Sequence, residues 1–148
     1  MTAVAAGQIW RDDRYYLDKT TGEYKRKYVL VLSVEPRSHD TVTAVFTSKS
    51  HGLRERPACD PGPPRAGYFL GIPGNGLNSL TWVDFSSVRT LDSLDMKRYA
   101  DTGRMCLLSW QLDAPLFCRV LRCASQSEDL TMRQARWISD TLATLHCP

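Results

Sequence analysis

The sequence predicts an α+β fold, a small and strongly bent antiparallel β-barrel with helices packed on one side. Its 148 residues, 43% hydrophobic and 24% charged, are typical of one globular domain, expected over 1–148, and exclude a disordered or fibrous chain. Residues 7–91 consist mainly of short apolar and β-branched runs separated by turn residues. Residues 92–146 show helical spacing around one short strand. No apolar run approaches the about 18 residues of a transmembrane helix, so no membrane contact is expected.

Strand composition recurs six times in the first part of the chain. The segments are 7–17, with a bend at Asp12-Asp13, 28–33, 41–47, 68–72, 80–84 and 87–91. The run 28–33 is apolar without alternation, which predicts a strand buried on both faces. Asn75-Gly76 predicts a tight hairpin, and the prolines of residues 50–67 predict a surface loop.

Two capping signals predict a helix–strand–helix unit over residues 92–125. Asp92 is suited to cap its first helix, because a carboxylate accepts hydrogen bonds from the free N–H groups of the first turn. Asp113 is suited to cap the second helix, with Pro115 in the first turn. The apolar run 105–108 between them predicts a short strand.

An additional C-terminal helix is predicted over residues 126–146. Ser125 and Glu128 have the spacing of a capping box, which marks the start of a helix. The apolar residues that follow recur at helical spacing, and Arg133 and Arg136 lie on the opposite face.

Charge and cysteine content bound the function classes only loosely. A net charge of +3 permits nucleic-acid binding without demonstrating it. The five cysteines include no C-x-x-C pair, and the N-terminal residues lack the basic and apolar regions of a signal peptide. We therefore expect reduced thiols in a cytoplasmic protein without a cofactor. A zinc site from Cys118, Cys123, His146 and Cys147 would need a different spacing, so no metal is expected.

Cations and hydroxyls are predicted to meet at one rim of the barrel. Lys25-Arg26-Lys27 stands at the start of the strand 28–33, and Thr47-Ser48-Lys49 at the end of 41–47. When consecutive strands pair antiparallel, the start of one lies beside the end of the next. Such a rim is suited to a phosphodiester, whose anionic oxygens accept hydrogen bonds from both kinds of group. The alternative is a solvated charge run followed by a turn.

Five segments follow one another at intervals that are more specific than any of the segments alone. They are Gly7-Gln-Ile-Trp10, Lys27-Tyr-Val-Leu-Val-Leu-Ser33, Val45-Phe-Thr47-Ser-Lys49, Val88-Arg-Thr-Leu-Asp92 and Gly103-Arg-Met-Cys-Leu-Leu-Ser109. Over residues 7–125, this order resembles the MazF/PemK family of toxin endoribonucleases from bacterial toxin–antitoxin modules.

The resemblance implies a small SH3-like barrel, usually a homodimer, that cleaves single-stranded RNA at a short sequence without a metal. In that reaction the ribose 2′-OH attacks the adjacent phosphorus and the 5′-oxygen leaves. A guanidinium and a hydroxyl are suited to stabilise the charge that develops on the phosphoryl oxygens. The resemblance also implies that the toxin slows growth unless a cognate antitoxin protein, expected to be a partly disordered acidic segment, occupies its groove.

The family's catalytic residues carry over to three positions of this sequence. Thr47 matches the catalytic threonine. The family's arginine position is occupied by Lys27, with Arg26 one residue earlier, and lysine lacks the bidentate fork of arginine. Adjacent strand residues point to opposite faces, so Arg26 and Lys27 cannot both reach one site without a bulge. A second departure is Ser86-Ser87, where many members have Asp-Gln.

The resemblance implies that the loop of residues 11–27 closes over the RNA, and its tyrosines beside cations suit base stacking with backbone neutralisation. A tyrosine-rich hairpin that packs on the barrel is the alternative. Arg89 is expected either to reach the RNA or to pair with Asp92. The predicted RNA-binding residues are Tyr15, Tyr16, Tyr24, Lys25, Ser48, Lys49, Asp84, Ser86 and Arg89.

Two other functions fit the same barrel. A non-catalytic nucleic-acid- or protein-binding module is favoured by the departures at Lys27 and Ser86-Ser87. A gyrase-binding toxin similar to CcdB would need a Trp-Gly-Ile ending, which residues 144–148 do not provide.

Overall fold

A seven-stranded antiparallel sheet forms the centre of the structure, a computed structural model that describes residues 3–148. The elements are β1 (Ile9–Asp18), β2 (Glu23–Val34), β3 (Asp40–Thr47), β4 (Cys59–Asp60), β5 (Gly67–Gly71), β6 (Thr81–Asp92), α1 (Ser93–Asp101), β7 (Met105–Leu107), α2 (Ala114–Ser125) and α3 (Met132–Thr144). The α+β class is confirmed. Six strands lie between residues 9 and 92, and α1, β7 and α2 follow one another between residues 93 and 125.

The sheet is open, with the strand order β4-β5-β6-β3-β2-β1-β7. Within residues 3–148 no pairing joins the edge strands β4 and β7, so the closure expected of a barrel is not confirmed. The register shifts by bulging between Asp12 and Tyr16 in β1, and again between the pairs that β3 makes with β6. Bulges of this kind bend a strand and re-aim its side chains.

Helices cover both faces of the sheet, so the expectation that they pack on one side is wrong for α1. The reason lies in β2, where Leu30 and Leu32 join one apolar cluster and Val29 and Val31 join the other. All four side chains are buried, as the apolar run predicted, and both faces therefore need cover. Helices α2 and α3 cover the Leu30 face, whereas α1 covers part of the other face, here called the α1 face, through Met96.

Local signals placed most boundaries correctly. Asn75 and Gly76 form the predicted two-residue turn with φ values of 56° and 96°, a conformation that favours Asn-Gly. The two predicted strands 80–84 and 87–91 are one continuous strand, β6. None of the helices within residues 3–148 combines the length and apolar character that crossing a membrane requires.

The start of α3 differs from the prediction. The Ser125 hydroxyl donates to the Arg122 carbonyl at 2.6 Å within the last turn of α2, whose C-cap is Gln126. The capping box is formed instead by Thr131 and Gln134, with both reciprocal hydrogen bonds present. Helix α3 therefore begins at Met132, and its apolar side packs on the sheet through Ile138.

Four cysteines are paired, which corrects the expectation of reduced thiols. Cys59 bonds to Cys123 and Cys118 bonds to Cys147, with Cα atoms 5.6 and 5.5 Å apart. The paired residues are 64 and 29 positions apart in the chain, so only the fold brings them together. Cys106 is free and exposed.

We predict one reactive thiol in the oxidised protein. Alkylation of the unfolded chain without reductant should label Cys106 alone, and all five cysteines after reduction. Reduction should also lower the free energy of unfolding by roughly 2–5 kcal/mol, because the unfolded chain regains conformational entropy. Labelling of all five thiols without reductant, read by mass spectrometry, would contradict the pairing.

Candidate functional site

The predicted lysine and threonine lie at one rim of the sheet. Val29 of β2 lies opposite Val45 of β3, and both belong to the apolar cluster of the α1 face. The pairing between β2 and β3 begins with these two residues, and Lys27 and Thr47 lie two positions beyond it, where both line one cavity. By strand alternation both residues belong to the α1 face. Trp82 of β6 lies opposite Thr47 on its other side. Cation and hydroxyl therefore lie at the same rim, as the sequence predicted.

Thr47 is 6% exposed and its hydroxyl is held in a local turn. Its Oγ1 accepts from the backbone N–H of Lys49 at 3.2 Å and donates to the Lys49 carbonyl at 3.3 Å. Both hydrogen bonds are long. The hydroxyl proton can therefore be turned towards a ligand while the N–H of Lys49 keeps the oxygen in place.

Of the two adjacent cations, Lys27 is the one that shares the α1 face with Thr47. Arg26 points the other way by strand alternation, and its Nε donates to Asp13 at 2.9 Å. The bulge lies in β1 and leaves β2 regular here, so it does not bring the two cations to one face. Within residues 3–148 Lys27 makes no ion pair.

The rim carries a small cavity beside these residues, of about 240 Å³. Arg26, Lys27, Thr47 and Ser48 line it from the sheet, and the turn of residues 76–79 lines it from above. Tyr28, Phe46 and Leu77 also line it and belong to the Leu30 face, so the cavity reaches both faces at the rim. The predicted rim residues are thus brought together, with Ser48 and Lys49 exposed just beyond the end of β3.

Asp84 lies on the α1 face, is 3% exposed and accepts four hydrogen bonds. It accepts from Arg65 at 2.7 Å, from the backbone and hydroxyl of Ser86 at 2.9 and 2.6 Å, and from the Ser87 hydroxyl at 3.3 Å. Burial alone would raise the pKa of Asp84, but the hydrogen bonds from Arg65 and Ser86 outweigh burial and hold the pKa below its usual value. The carboxylate stays ionised and fixes Arg65.

A second cluster surrounds Tyr15 on the same face. The Arg89 guanidinium lies 3.9 Å from the centre of the Tyr15 ring, a cation–π contact rather than the predicted alternative pair with Asp92. Burial raises the pKa of Tyr15, opposed by Arg89 and aided by the charges of Asp12 and Asp84. Asp12 is buried and accepts from Arg104 at 3.2 Å.

The remaining predicted RNA-binding residues lie in the outer half of the β1–β2 hairpin. Tyr16 and Tyr24 are 44% and 54% exposed, and the Arg14 guanidinium stands 5.3 Å from the Tyr24 ring centre. Lys25 lies 3.9 Å from Asp18 in a partly exposed ion pair. The structure does not bring these three side chains to Thr47, and it leaves them as an aromatic, basic arm beside the face.

Sequence reasoning missed Arg65, which it placed in a surface loop. The signal was Asp84 itself, because a carboxylate inside an apolar strand needs a buried donor. The sequence offers 19 Lys and Arg residues and does not say which one supplies that donor. Asp12 and its partner Arg104 were missed for the same reason.

Comparison with the known protein families and with curated proteins finds no match to this chain. Among residues 3–148, no group of three or more His, Cys, Asp or Glu side chains is arranged to hold a metal ion.

We predict that Asp84→Asn changes the acid dependence of stability. The pKa of Asp84 is lowered in the folded state, so its stabilisation is present above the unfolded pKa of about 3.9 and is lost as pH falls through the folded pKa. The variant should be less stable at pH 7 by roughly 3 kcal/mol, and this difference should shrink below about pH 4. Denaturant unfolding of both proteins from pH 3 to 7 tests this, and a pH-independent difference would contradict it.

Proposed function

We propose that this protein is a metal-independent endoribonuclease that cleaves single-stranded RNA on its α1 face, beside Lys27 and Thr47. The observation that carries the proposal is that Lys27, which makes no ion pair among residues 3–148, and Thr47 line one cavity at the rim of the sheet. An ammonium and a hydroxyl so placed are suited to two oxygens of one phosphate.

The charge distribution of the face supports an anionic ligand. It carries the cations Lys27, Arg65, Arg89 and Arg104, of which only two are matched by the carboxylates Asp12 and Asp84. Tyr15 and Phe69 are partly exposed on this face and add aromatic surface of the kind on which bases stack, whereas Trp82, whose ring centre lies 5.1 Å from that of Phe69, is buried.

In the proposed reaction the RNA supplies its own nucleophile. The 2′-oxygen bonds to phosphorus and gives its proton to solvent, while the bond from phosphorus to the 5′-oxygen breaks and that oxygen takes a proton from solvent. The products are a 2′,3′-cyclic phosphate and a 5′-hydroxyl end. Lys27 and Thr47 stabilise the charge that builds on the phosphoryl oxygens, and the need for a 2′-OH selects RNA over DNA.

The biological setting is proposed from the resemblance to MazF/PemK toxins. It comprises an SH3-like barrel, a homodimer, a cognate antitoxin protein, inhibition of growth and a cytoplasmic location. In a reducing cytoplasm the two disulfides would be open. The cytoplasmic location therefore implies that the α1 face forms without them.

A non-catalytic RNA-binding module is the second candidate, and one observation favours it. The Thr47 hydroxyl already donates its one proton to the Lys49 carbonyl, so it offers a phosphate no donor unless that hydrogen bond breaks. A face of this kind would hold RNA without cutting it.

We predict discrete cleavage of a long single-stranded RNA in EDTA, with 5′-hydroxyl ends. Thr47→Ala and Lys27→Ala should each reduce the rate at least about 100-fold while the fold is kept, because each removes a donor to the developing charge. Arg133→Ala, a charge-matched change on the exposed side of α3, should cleave like the wild type. End mapping and circular dichroism provide the measurements.

Two results would overturn this assignment. Intact RNA with folded wild-type protein would favour the binding module. Wild-type rates in both Thr47→Ala and Lys27→Ala would place any cleavage elsewhere on the molecule.

A further inference from the structure

The guanidinium of Arg65 is fixed on the α1 face by a buried network. Asp84 grips it at 2.7 Å, and Asp84 is itself held by Ser86 and Ser87. Arg65 is 34% exposed, so one side of the guanidinium faces the buried carboxylate and the rest is accessible. A planar guanidinium held in this way loses little further freedom when it binds a second anion.

The backbone around Arg65 supports this placement. Gly67 lies opposite Asp84, and a Cβ on it would stand 2.6 Å from Leu53, so only glycine lets Leu53 pack there. The Trp82 indole donates to the Arg54 carbonyl at 3.1 Å. These contacts hold both halves of the proline-rich segment, residues 48–66, against the sheet.

The position of Arg65 relative to the rim follows from the register. Val45 lies opposite Asp84, and Thr47 lies opposite Trp82, so Asp84 is the diagonal neighbour of Thr47 on the same face. Diagonal neighbours in an antiparallel pair are about 7–8 Å apart, within reach of a long side chain. Arg65 therefore stands on the β6 side of Thr47, and Lys27 on the β2 side.

The hydrogen bonding of Arg65 is incomplete. A guanidinium has five N–H donors. The Nε of Arg65 is buried and makes no hydrogen bond within the described residues. The accessible part of the guanidinium therefore lies beyond Nε, and its remaining N–H donors are available to an anion on this face.

We propose that Arg65 supplies the guanidinium that contacts the scissile phosphodiester, opposite Lys27. This inference rests on the proposed ribonuclease function. Lys27 occupies the position at which the family motif has arginine. Arg65, from segment 48–66 rather than from β2, provides a guanidinium instead. Ser86 and Ser87, the second departure from the family, hold the carboxylate that positions it. Arg65 stabilises the charge on the non-bridging oxygens by donating hydrogen bonds to them.

Arg65→Lys tests the proposal, because lysine keeps the charge and removes the fork. Single-turnover cleavage should fall about 100-fold, with an unfolding midpoint close to that of the wild type. Arg56→Lys, the same change at an exposed residue of segment 48–66, should stay within threefold of the wild type. Cleavage within threefold of the wild type by folded Arg65→Lys would overturn the assignment.

Binding provides a readout that does not depend on cleavage. The probe is a single-stranded RNA with 2′-O-methyl groups, which cannot be cut. In Arg65→Gln the slope of log affinity against log salt should decrease in magnitude by about 0.7, the contribution of one phosphate contact. A wild-type protein that binds this RNA but leaves the unmodified RNA intact would refute the nuclease, and the decreased slope in Arg65→Gln would still support the phosphate contact. An unchanged slope, or no binding by the wild type, would overturn the role of Arg65.

Discussion

The buried carboxylate of Asp84 is the group on which the geometry of the candidate site depends. It lies in a central strand and is 3% exposed, so its charge must be met by donors inside the protein. Arg65, Ser86 and Ser87 meet it. Because Arg65 bonds to this carboxylate, the end of segment 48–66 lies against the sheet. The proline-rich segment therefore forms one wall of the α1 face.

The two faces of the sheet serve different purposes because β2 is buried on both. On one face, α2 and α3 complete an apolar cluster with Leu30 and Leu32. On the other, α1 covers only the part around Val29 and Val31, and the row beyond it carries polar side chains. The well-packed Leu30 face therefore supports a row of polar side chains on the α1 face, and that row contributes little packing of its own.

Local and pairwise rules predicted much of this arrangement. Apolar and β-branched runs predicted the main strands, and capping residues predicted the first two helices. The antiparallel pairing of consecutive strands predicted that Lys27 and Thr47 lie at the same rim. Contacts between residues distant in the chain were not predictable, since nothing local distinguishes Arg65 from the other arginines or pairs Cys59 with Cys123. The second covered face was implied by the apolar run 28–33, but the sequence did not show that α1 would cover it.

The most direct test of the account is to map where single-stranded RNA binds. Backbone amide shifts would be recorded by NMR as an RNA blocked at its 2′ positions is added to the oxidised protein. The account predicts changes at Lys27, Thr47, Arg65 and Arg89, and none on the exposed surfaces of α2 and α3. Changes confined to those helices, or no changes at all, would contradict the claim that the α1 face is a nucleic-acid site.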